Sequence, residues 1–442
     1  MEPIKHSGAG NGSSSDEGTE TTGRYVVVFS DELQGDSSAQ AEALSAVAGA
    51  ANIASSLDFQ DHAVDVDQTA NSDATIFAEL GVAVLQADSS QIVATAEDRR
   101  ILAVEPERIF YAIDASPTVP LEYIRGYRDA TAHLYDELSR NGAVEVQDSV
   151  AETFLDDAAS TWGLKATKAA ASRQDGKGIR VAVLDTGLDL GHPDFAGRPI
   201  THQSFMPGLS AQDDQGHGTH CAGTSCGPLS SPATRRYGVA HGADLFVGKV
   251  LKLNPLTGRA TGPESGILAG MEWALANGCH VISMSLGVDI RRALPQYELI
   301  GRRALAAGAL IIAAAGNNAK RSLANPGFVG APANSPSIMA VAAVDNRLRV
   351  ANFSAQSNPV DGGNIDIAGP GVAVHSSWPM ATRYRAIDGT SMATPHVAGI
   401  AALWCKATGE TGGALWSTLV RNARRLDLPT VDVGAGLVQA PA

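Results

Sequence analysis

Ser391 stands where a loop enters a helix, a position that suits either a helix cap or a nucleophile. It follows a Gly389-Thr390 turn, and the apolar run that continues to Trp404 is typical of a buried helix. Pro395 falls in the first turn, where a missing N–H costs nothing. The unpaired N–H groups and the positive end of the helix dipole lie at the same place. On this segment alone, a capping serine is the simpler interpretation.

Three other residues could complete a set for acyl transfer, although each has a simpler interpretation when taken alone. Asp185 follows an apolar strand, where an aspartate usually forms a turn. His217 could be a metal ligand together with His220, but no acidic third ligand follows at helical spacing. Asn317 also follows a strand, where it could form a turn or donate its amide to an oxyanion. Together with Ser391 they supply an acid, a base, a nucleophile and an oxyanion donor.

Apolar strands that alternate with helices connect these residues. Strands are predicted at residues 179–184, 245–251, 280–286, 309–315 and 338–344, and helices at 264–277 and 299–308. This pattern indicates an α/β fold, a parallel β-sheet flanked by helices on both faces. In such sheets functional residues gather at the carboxyl ends of the strands, which is where Asp185 and Asn317 fall.

The N-terminal part of the chain has a different pattern. Residues 24–113 read as β-α-β-β-α-β, with helices at 37–51 and 96–102, which indicates a small α+β ferredoxin-like domain. Residues 1–23 are poor in apolar side chains, so we expect a disordered tail. Residues 114–156 are predicted to be a linker with one exposed helix at 123–138.

Composition restricts the partners and the location. The net charge of −14 argues against nucleic acid as a partner. The four cysteines are scattered without a CxxC pair, which argues against a zinc site. Two disulfides are possible, but the apolar surroundings of Cys221 and Cys279 favour free buried thiols. The start of the chain lacks the features of a secretory signal, and no apolar run reaches the roughly 18 residues of a membrane span. We therefore expect a cytoplasmic protein with no membrane span, with leaderless secretion as the alternative.

Taken together, the motifs resemble those of the subtilisin-like serine proteases, the subtilases. They stand in the family's order, aspartate before histidine before serine. The matching segments are 185–187 with 192–194, then 216–220, 315–317 and 389–396, within a resemblance that spans residues 162–437. The resemblance implies a peptidase domain at residues 157–442. It also implies that 24–113 is an inhibitor-like propeptide, whose last strand, ending at Ile113, would leave the active site like a product. The chain would then be a self-inhibited zymogen, with its cleavage site open along the linker.

The resemblance assigns roles to the candidate residues. Ser391 would be the nucleophile, His217 its base and Asp185 the carboxylate that orients His217. Asn317 and the Ser391 N–H would hold the oxyanion. A peptide substrate would lie as an extended strand against protein backbone, with small residues around its first pocket. The residues implied for this binding are Ala260, Thr261, Gly262, Ser285, Leu286, Gly287, Ala314, Ala315, Gly316 and Gly330.

The resemblance also has implications for metal binding and for one cysteine. It implies that catalysis requires no cofactor and that structural calcium is possible. Asp194 matches a calcium-ligand position of the family, whereas the partner loop 229–239 lacks the expected asparagine and carries Arg235 and Arg236. Cys221 would lie beneath His217, as in the proteinase K branch, and would make the site sensitive to mercurials.

Other functions stay open on the sequence alone. An inert peptide-binding scaffold could keep these motifs without turnover. An aspartic protease could use Asp185, although such enzymes need two Asp-Thr-Gly loops and we find one. Within the serine protease interpretation, broad degradation and dedicated processing of one specific partner are both open.

Overall fold

The structure, a computed structural model, describes residues 19–113, 152–231, 233–360 and 363–442. The predicted linker helix at 123–138 and residues 1–18 of the predicted disordered tail lie outside these residues. The end of the predicted tail is ordered, because the first strand begins at Thr21. Among the described residues, no helix has both the length and the apolar character needed to cross a bilayer.

Residues 19–113 form a five-stranded sheet that carries two helices. The elements are β1 (Thr21–Phe29), α1 (Ser37–Ala48), β2 (Ile53–Ser55), β3 (Ala74–Phe77), β4 (Val82–Leu85), α2 (Ser89–Glu97) and β5 (Ile101–Ala112). The strand order is β2-β3-β4-β1-β5, in which β2 pairs parallel with β3 and the other pairs are antiparallel. Val27, Phe29 and Leu44 are buried in the core of this unit.

Both helices of this unit differ from the prediction for a local reason. The first helix ends at Ala48 because Gly49 takes a left-handed conformation, with φ of 66°, and caps it. The second lies at 89–97 and not at 96–102. Asp88 begins it through a capping box with Gln91, a start signal that the prediction missed.

The rest of the described chain forms the larger unit. Its elements are α3 (Trp162–Ala166), β6 (Arg180–Asp185), β7 (Thr201–Ser204), α4 (His217–Cys226), β8 (Asp244–Lys249), β9 (Lys252–Leu253), β10 (Ala260–Pro263), α5 (Glu264–Ala276), β11 (Val281–Met284), β12 (Leu286–Gly287), α6 (Pro295–Ala306), β13 (Leu310–Ala314), β14 (Met339–Val344), β15 (Ile367–Pro370), β16 (Val374–Ser377), β17 (Tyr384–Ile387), α7 (Thr390–Thr408), α8 (Gly412–Asn422) and α9 (Thr430–Val433). Helix α6 begins earlier than predicted because Pro295 occupies its first turn, where proline is favoured.

Seven strands form the central sheet in the order β15-β14-β13-β11-β6-β8-β7, and each neighbouring pair is parallel. Alternate residues of β6 face opposite sides. Val181 and Val183 belong to the core that includes α4 and α7, whereas Ala182 and Leu184 belong to the core that includes α5 and α6. Helices therefore cover both faces, and the predicted α/β architecture is confirmed.

Strand β5 joins the two units in one sheet. It pairs antiparallel with β10, where Phe110 lies opposite Gly262, and with β12, where Ala112 lies opposite Leu286. Strand β9 extends the same sheet beyond β10. Ile113, the residue after β5, is thereby brought next to Ser391.

Candidate active site

Helix α7 places Ser391 in its first turn, at the end that carries unpaired N–H groups. The approach is close, because a Cβ atom at Gly389 would lie 3.0 Å from the carbonyl oxygen of Ile113 and 3.2 Å from Asn317 Nδ2. Only glycine leaves that space open. The Ser391 side chain is fully buried and donates to the carbonyl oxygens of Ile113 (2.5 Å) and Ser285 (3.0 Å).

Asp185 and His217 form a buried pair. Asp185 ends β6 and His217 begins α4, and His217 Nδ1 lies 2.8 Å from Asp185 Oδ1 and 3.0 Å from Oδ2. Each residue is 1% exposed. Burial lowers the pKa of His217, but the charge and hydrogen bond of Asp185 outweigh it and hold this pKa well above its ordinary value. The pair can therefore stabilise an imidazolium.

His217 and Ser391 do not form a hydrogen bond in this structure. The second ring nitrogen, His217 Nε2, is buried without a hydrogen-bond partner, while Ser391 Oγ donates to the two carbonyls. Cys221 contacts both residues: its Sγ is 3.8 Å from His217 Nδ1 and 3.6 Å from the backbone carbonyl oxygen of Ser391. Burial raises the pKa of the Cys221 thiol, which keeps its proton.

Asn317 points its amide at the same carbonyl. Its Nδ2 donates to Ile113 O at 2.9 Å, and its Oδ1 accepts from Thr390 N (3.0 Å) and Thr390 Oγ1 (2.9 Å). The two bonds from Thr390 fix the direction of the amide. The Ser391 N–H, the other donor that the resemblance implied, makes no hydrogen bond to Ile113 O. The donors present there are Asn317 Nδ2 and Ser391 Oγ.

The two segments expected to bind substrate lie on either side of the last residues of β5. Thr261 and Gly287 both lie opposite Tyr111, and the Ile113 N–H donates to Ser285 O at 3.2 Å. A Cβ at Gly287 would meet the Ile113 side chain at 2.7 Å, so glycine makes room for it. Ala260, Gly262 and Leu286 belong to the same paired strands.

The residues expected around the first pocket lie together at the end of β13. Ala314 and Ala315 are buried, and Gly330 N donates to Ala315 O at 3.1 Å. A Cβ at Gly330 would meet Val288 O at 2.6 Å, and Gly316 has a φ of 123° that favours glycine. These pocket residues, all in the described part of the chain, make no hydrogen bond to Ile113.

His220 does not share the role of His217. Its Nε2 lies 2.9 Å from the carbonyl oxygen of Val374, and burial lowers its pKa to about 3. A neutral, buried ring bonded to backbone has a structural role. Among the described residues, the one group of three or more metal-ligating side chains is Asp185, His217 and Cys221, which lies inside the candidate site.

Asp213 is a residue of this site that the sequence reasoning missed. It is 6% exposed and accepts hydrogen bonds from the segments that follow Asp185 and surround His217. The donors are Thr186 Oγ1 (2.8 Å), Gln215 N (2.9 Å), Gly216 N (2.8 Å), Thr219 N (2.9 Å) and Thr219 Oγ1 (2.6 Å). Thr186 follows Asp185 and Thr219 lies in the first turn of the His217 helix, so Asp213 ties the two together. The available signal was an acidic residue three positions before Gly216, the residue that precedes the His217 helix.

Asp194, the calcium candidate, lies in a separate place, in a short 3₁₀ turn (Pro193–Phe195). Its two carboxylate oxygens accept hydrogen bonds from the hydroxyl groups of Ser231, Tyr237 and Tyr384. These protein groups occupy the oxygens that a cation would need. The residues present therefore do not fit the calcium site that the resemblance implied.

Comparison with known proteins identifies the family. A model of the Subtilase family matches residues 176–437. The chain is 35% identical over 311 residues to M-protease of Shouchella clausii (strain KSM-K16), covering 70% of this chain and 74% of that protein. It is 38% identical over 285 residues to Subtilisin Savinase of Lederbergia lenta, covering 64% of this chain and 97% of that protein. An alkaline protease of Alkalihalobacillus alcalophilus is 36% identical over 311 residues, or 70% and 76% of the two chains.

The chain therefore belongs to the subtilase family, and it is a subtilisin-like serine protease, a hydrolase that acts on proteins. Catalysis in this family requires no cofactor, and calcium has a structural role in it. Membership removes the ground for an aspartic protease built on Asp185.

The expected cytoplasmic location is wrong. The relatives are subtilisins and alkaline proteases, and they give no support for that location. The expectation depended on the composition of the first residues alone. The peptidase fold does not depend on those first residues, so their composition does not determine where the protein acts.

Proposed function

We propose that the chain is a zymogen that cuts itself between Ile113 and Asp114, stays inhibited by its N-terminal unit, and then cleaves other polypeptides at the same site. One observation carries this proposal. The Ile113 N–H donates to Ser285 O (3.2 Å), while its carbonyl accepts from Asn317 Nδ2 (2.9 Å) and Ser391 Oγ (2.5 Å). A strand that pairs with protein backbone and ends with its carbonyl beside a hydroxyl lies as a substrate does.

In the first half of the reaction, Ser391 Oγ bonds to the carbonyl carbon of Ile113 and His217 Nε2 takes the hydroxyl proton. Asp185 holds the other ring nitrogen and stabilises the imidazolium, which the raised pKa of His217 supports. The negative charge that develops on Ile113 O is stabilised by Asn317 Nδ2.

In the second half, the bond between Ile113 and Asp114 breaks and His217 gives its proton to the leaving amine. Water then attacks the acyl-enzyme with His217 again as base, and Ser391 recovers its proton as the Ile113 carboxylate forms. The unpartnered Nε2 of His217 supports this assignment, because a base needs a free nitrogen when the proton arrives. Before the first proton transfer, Ser391 Oγ has to move away from Ser285 O and approach His217 Nε2.

Inhibition would come from the contacts that keep residues 24–113 in place after the cut. Glu107 of β5 is fully buried and its Oε1 accepts from Ser265 N (2.9 Å) in the first turn of α5. Toward the other end of α5, Glu272 accepts from Glu79 N (3.1 Å) and Leu80 N (3.0 Å). Buried, charge-assisted bonds of this kind are strong. They support a division into a propeptide (24–113) and a peptidase domain (157–442), joined by a linker (114–156) and preceded by a tail (1–23) whose last residues, from Thr21, belong to β1.

The same strand suggests which substrates fit. Phe110 is fully buried with its ring 5.7 Å from that of Tyr297, and Ala112 is 5% exposed. We infer a preference for polypeptides with an aromatic residue three places, and a small residue one place, before an aliphatic residue at the cut. Burial of an aromatic side chain supplies a large share of such binding.

The test follows the full chain after folding, in parallel with Ser391→Ala. Intact mass and N-terminal sequencing at early times should show a first fragment that begins at Asp114 in the wild type, and an uncut chain in the variant. A fluorophosphonate probe should label the processed wild type and not the variant. A wild-type chain that stays uncut and unlabelled, or an Ser391→Ala chain cut at the same bond, would contradict the proposal.

A further inference from the structure

Three hydroxyl groups surround the carboxylate of Asp194. We define the Asp194 cluster as Asp194, Ser231, Tyr237 and Tyr384. Ser231 Oγ donates to Asp194 Oδ1 (2.9 Å) and Tyr237 OH donates to Oδ2 (2.6 Å). Tyr384 OH reaches both oxygens, at 3.1 and 3.0 Å, and lies 2.9 Å from Ser231 Oγ. The carboxylate therefore has hydroxyl partners on each oxygen.

A calcium ion in the same place would need those lone pairs. Ca²⁺ takes about six to eight oxygen ligands, with carboxylates and carbonyls prominent among them. Here the hydroxyl hydrogens point at the carboxylate. Tyr237 is 1% exposed, and burial followed by the neighbouring Asp194 raises the pKa of its phenol, so this hydrogen stays. Among the described residues, Asp194 belongs to no group of three or more acidic, histidine or cysteine side chains.

Two backbone carbonyls of the loop 229–239 accept hydrogen bonds from a guanidinium group, which is positively charged. Arg236 Nε donates to Gly238 O (3.2 Å) and Arg236 Nη2 donates to Val239 O (3.0 Å). Both carbonyls belong to the loop 229–239, the partner of Asp194 in the implied calcium site. A half-buried guanidinium thus supplies positive charge to oxygens of the kind that bind calcium.

Contacts between aromatic rings also link three parts of the chain around Asp194. The Tyr237 ring lies edge-on to that of Tyr384 at 6.1 Å, and His375 stacks on Tyr384 at 5.6 Å. The cluster thereby connects the 3₁₀ turn at 193–195, the loop 229–239 and the hairpin of β16 and β17. That hairpin also contacts the His217 helix, because Ser377 Oγ donates to Thr219 O at 2.9 Å.

We infer that the Asp194 cluster, with Arg236, takes the place of a structural calcium ion at this position, so that this region of the fold is stable without calcium. The tie is made of three hydroxyl donors and a guanidinium. This inference does not depend on the proposed roles of Ser391, His217 and Asp185. It concerns a property in which this chain differs from what its family membership implies.

The test measures thermal unfolding of the full chain carrying Ser391→Ala, which prevents self-digestion, in EDTA and in millimolar CaCl₂. The midpoint should be the same in both. Tyr237→Phe keeps the ring and removes the donor, and it should lower the midpoint by about 2–6 °C equally in both buffers. Ser231→Ala is a second, smaller deletion of the same kind. Tyr25→Phe is the matched control, because its hydroxyl makes no hydrogen bond to any described residue.

Three results would decide whether Asp194 binds calcium and whether the cluster is a structural tie. If EDTA lowers the midpoint and Asp194→Asn abolishes that difference, Asp194 binds calcium and the inference is wrong. If EDTA lowers the midpoint and Asp194→Asn leaves the difference intact, the ion binds elsewhere and the inference holds for this position. If Tyr237→Phe and Ser231→Ala unfold at the same temperature as Tyr25→Phe, the cluster is not a structural tie and the inference fails.

Discussion

Removal of the Asn317 amide offers the sharpest test of how the carbonyl of Ile113 is activated. Asn317→Ala should slow the first-order self-cleavage of the full chain by about 10²–10³-fold. Loss of the oxyanion asparagine in subtilisin has an effect of about this size. The structural reason is that Nδ2 is one of two side-chain donors to Ile113 O, at 2.9 Å, and the other is Ser391 Oγ, the proposed nucleophile.

The contribution of the anchor can be worked from the structure. Asn317 Oδ1 accepts two hydrogen bonds, from Thr390 N (3.0 Å) and Thr390 Oγ1 (2.9 Å). Thr390→Val removes the second and leaves the first, and it also removes the acceptor of the Gly316 N–H (3.3 Å), a longer bond that does not touch the amide. One hydrogen bond is worth about 0.5–1.5 kcal/mol, so the rate should fall about 2- to 12-fold. Thr390→Ser keeps both bonds and is the matched control, with a rate close to that of the wild type.

The assay quenches freshly folded chain at intervals and measures the cleaved fraction by intact mass, which gives a single-turnover rate free of substrate binding. The order of rates should be Thr390→Ser, Thr390→Val, Asn317→Ala, from fastest to slowest. An Asn317→Ala chain that cleaves within threefold of the wild-type rate would refute the assignment. Equal losses in Thr390→Val and Thr390→Ser would refute the role of the hydroxyl.

Three further predictions concern other parts of the site. Asp213→Asn should slow self-cleavage by about 10–100-fold with far-UV circular dichroism unchanged, because one amide oxygen cannot accept the donors of both loops and the catalytic pair shifts; a wild-type rate would contradict it. Cys221→Ser should abolish inhibition by a mercurial while activity persists, because the thiol lies 3.8 Å from His217 Nδ1; inhibition that survives would place the target elsewhere. Inhibition of the processed enzyme by its N-terminal segment should weaken as pH rises. Glu272, whose Oε1 lies 3.3 Å from His62 Nδ1, raises the pKa of His62, so the stabilisation is complete below the ordinary value of about 6.5 and is lost as pH rises through the raised value. His62→Gln should flatten this dependence in inhibition constants measured from about pH 5 to pH 9, and an unchanged slope would exclude His62 as its source.

The sequence predicted those parts of the fold whose signal is local. The apolar strands of the central sheet were found because each is buried on both faces and reads as a continuous run, as in residues 310–314. Boundaries shifted where a single capping residue decides them, as at Asp88. The pairing of β5 with β10 and β12 was expected from the family resemblance and could not come from the residues alone, because backbone pairing leaves no mark on side-chain type.

The parts of the site that escaped prediction depend on contacts between distant residues. Asp213 precedes a glycine and a helix, a context in which an acidic residue is ordinarily a turn former, and its bond to Thr186 spans 27 positions. Tyr237 and Tyr384 are far apart in the chain, and a tyrosine in sequence gives no hint of the partner of its hydroxyl. Only the fold shows that both reach Asp194.

Strand β5 occupies a slot with backbone donors and acceptors on both of its sides, from β10 and from β12. Once that strand leaves, the slot can be refilled only by a polypeptide that is fully stretched over several consecutive residues. A helix, or a strand already paired within its own sheet, cannot enter without first unravelling. The enzyme should therefore attack native proteins at loose termini and long surface loops, and the conformational stability of a target should govern its survival more than the number of suitable side chains it carries.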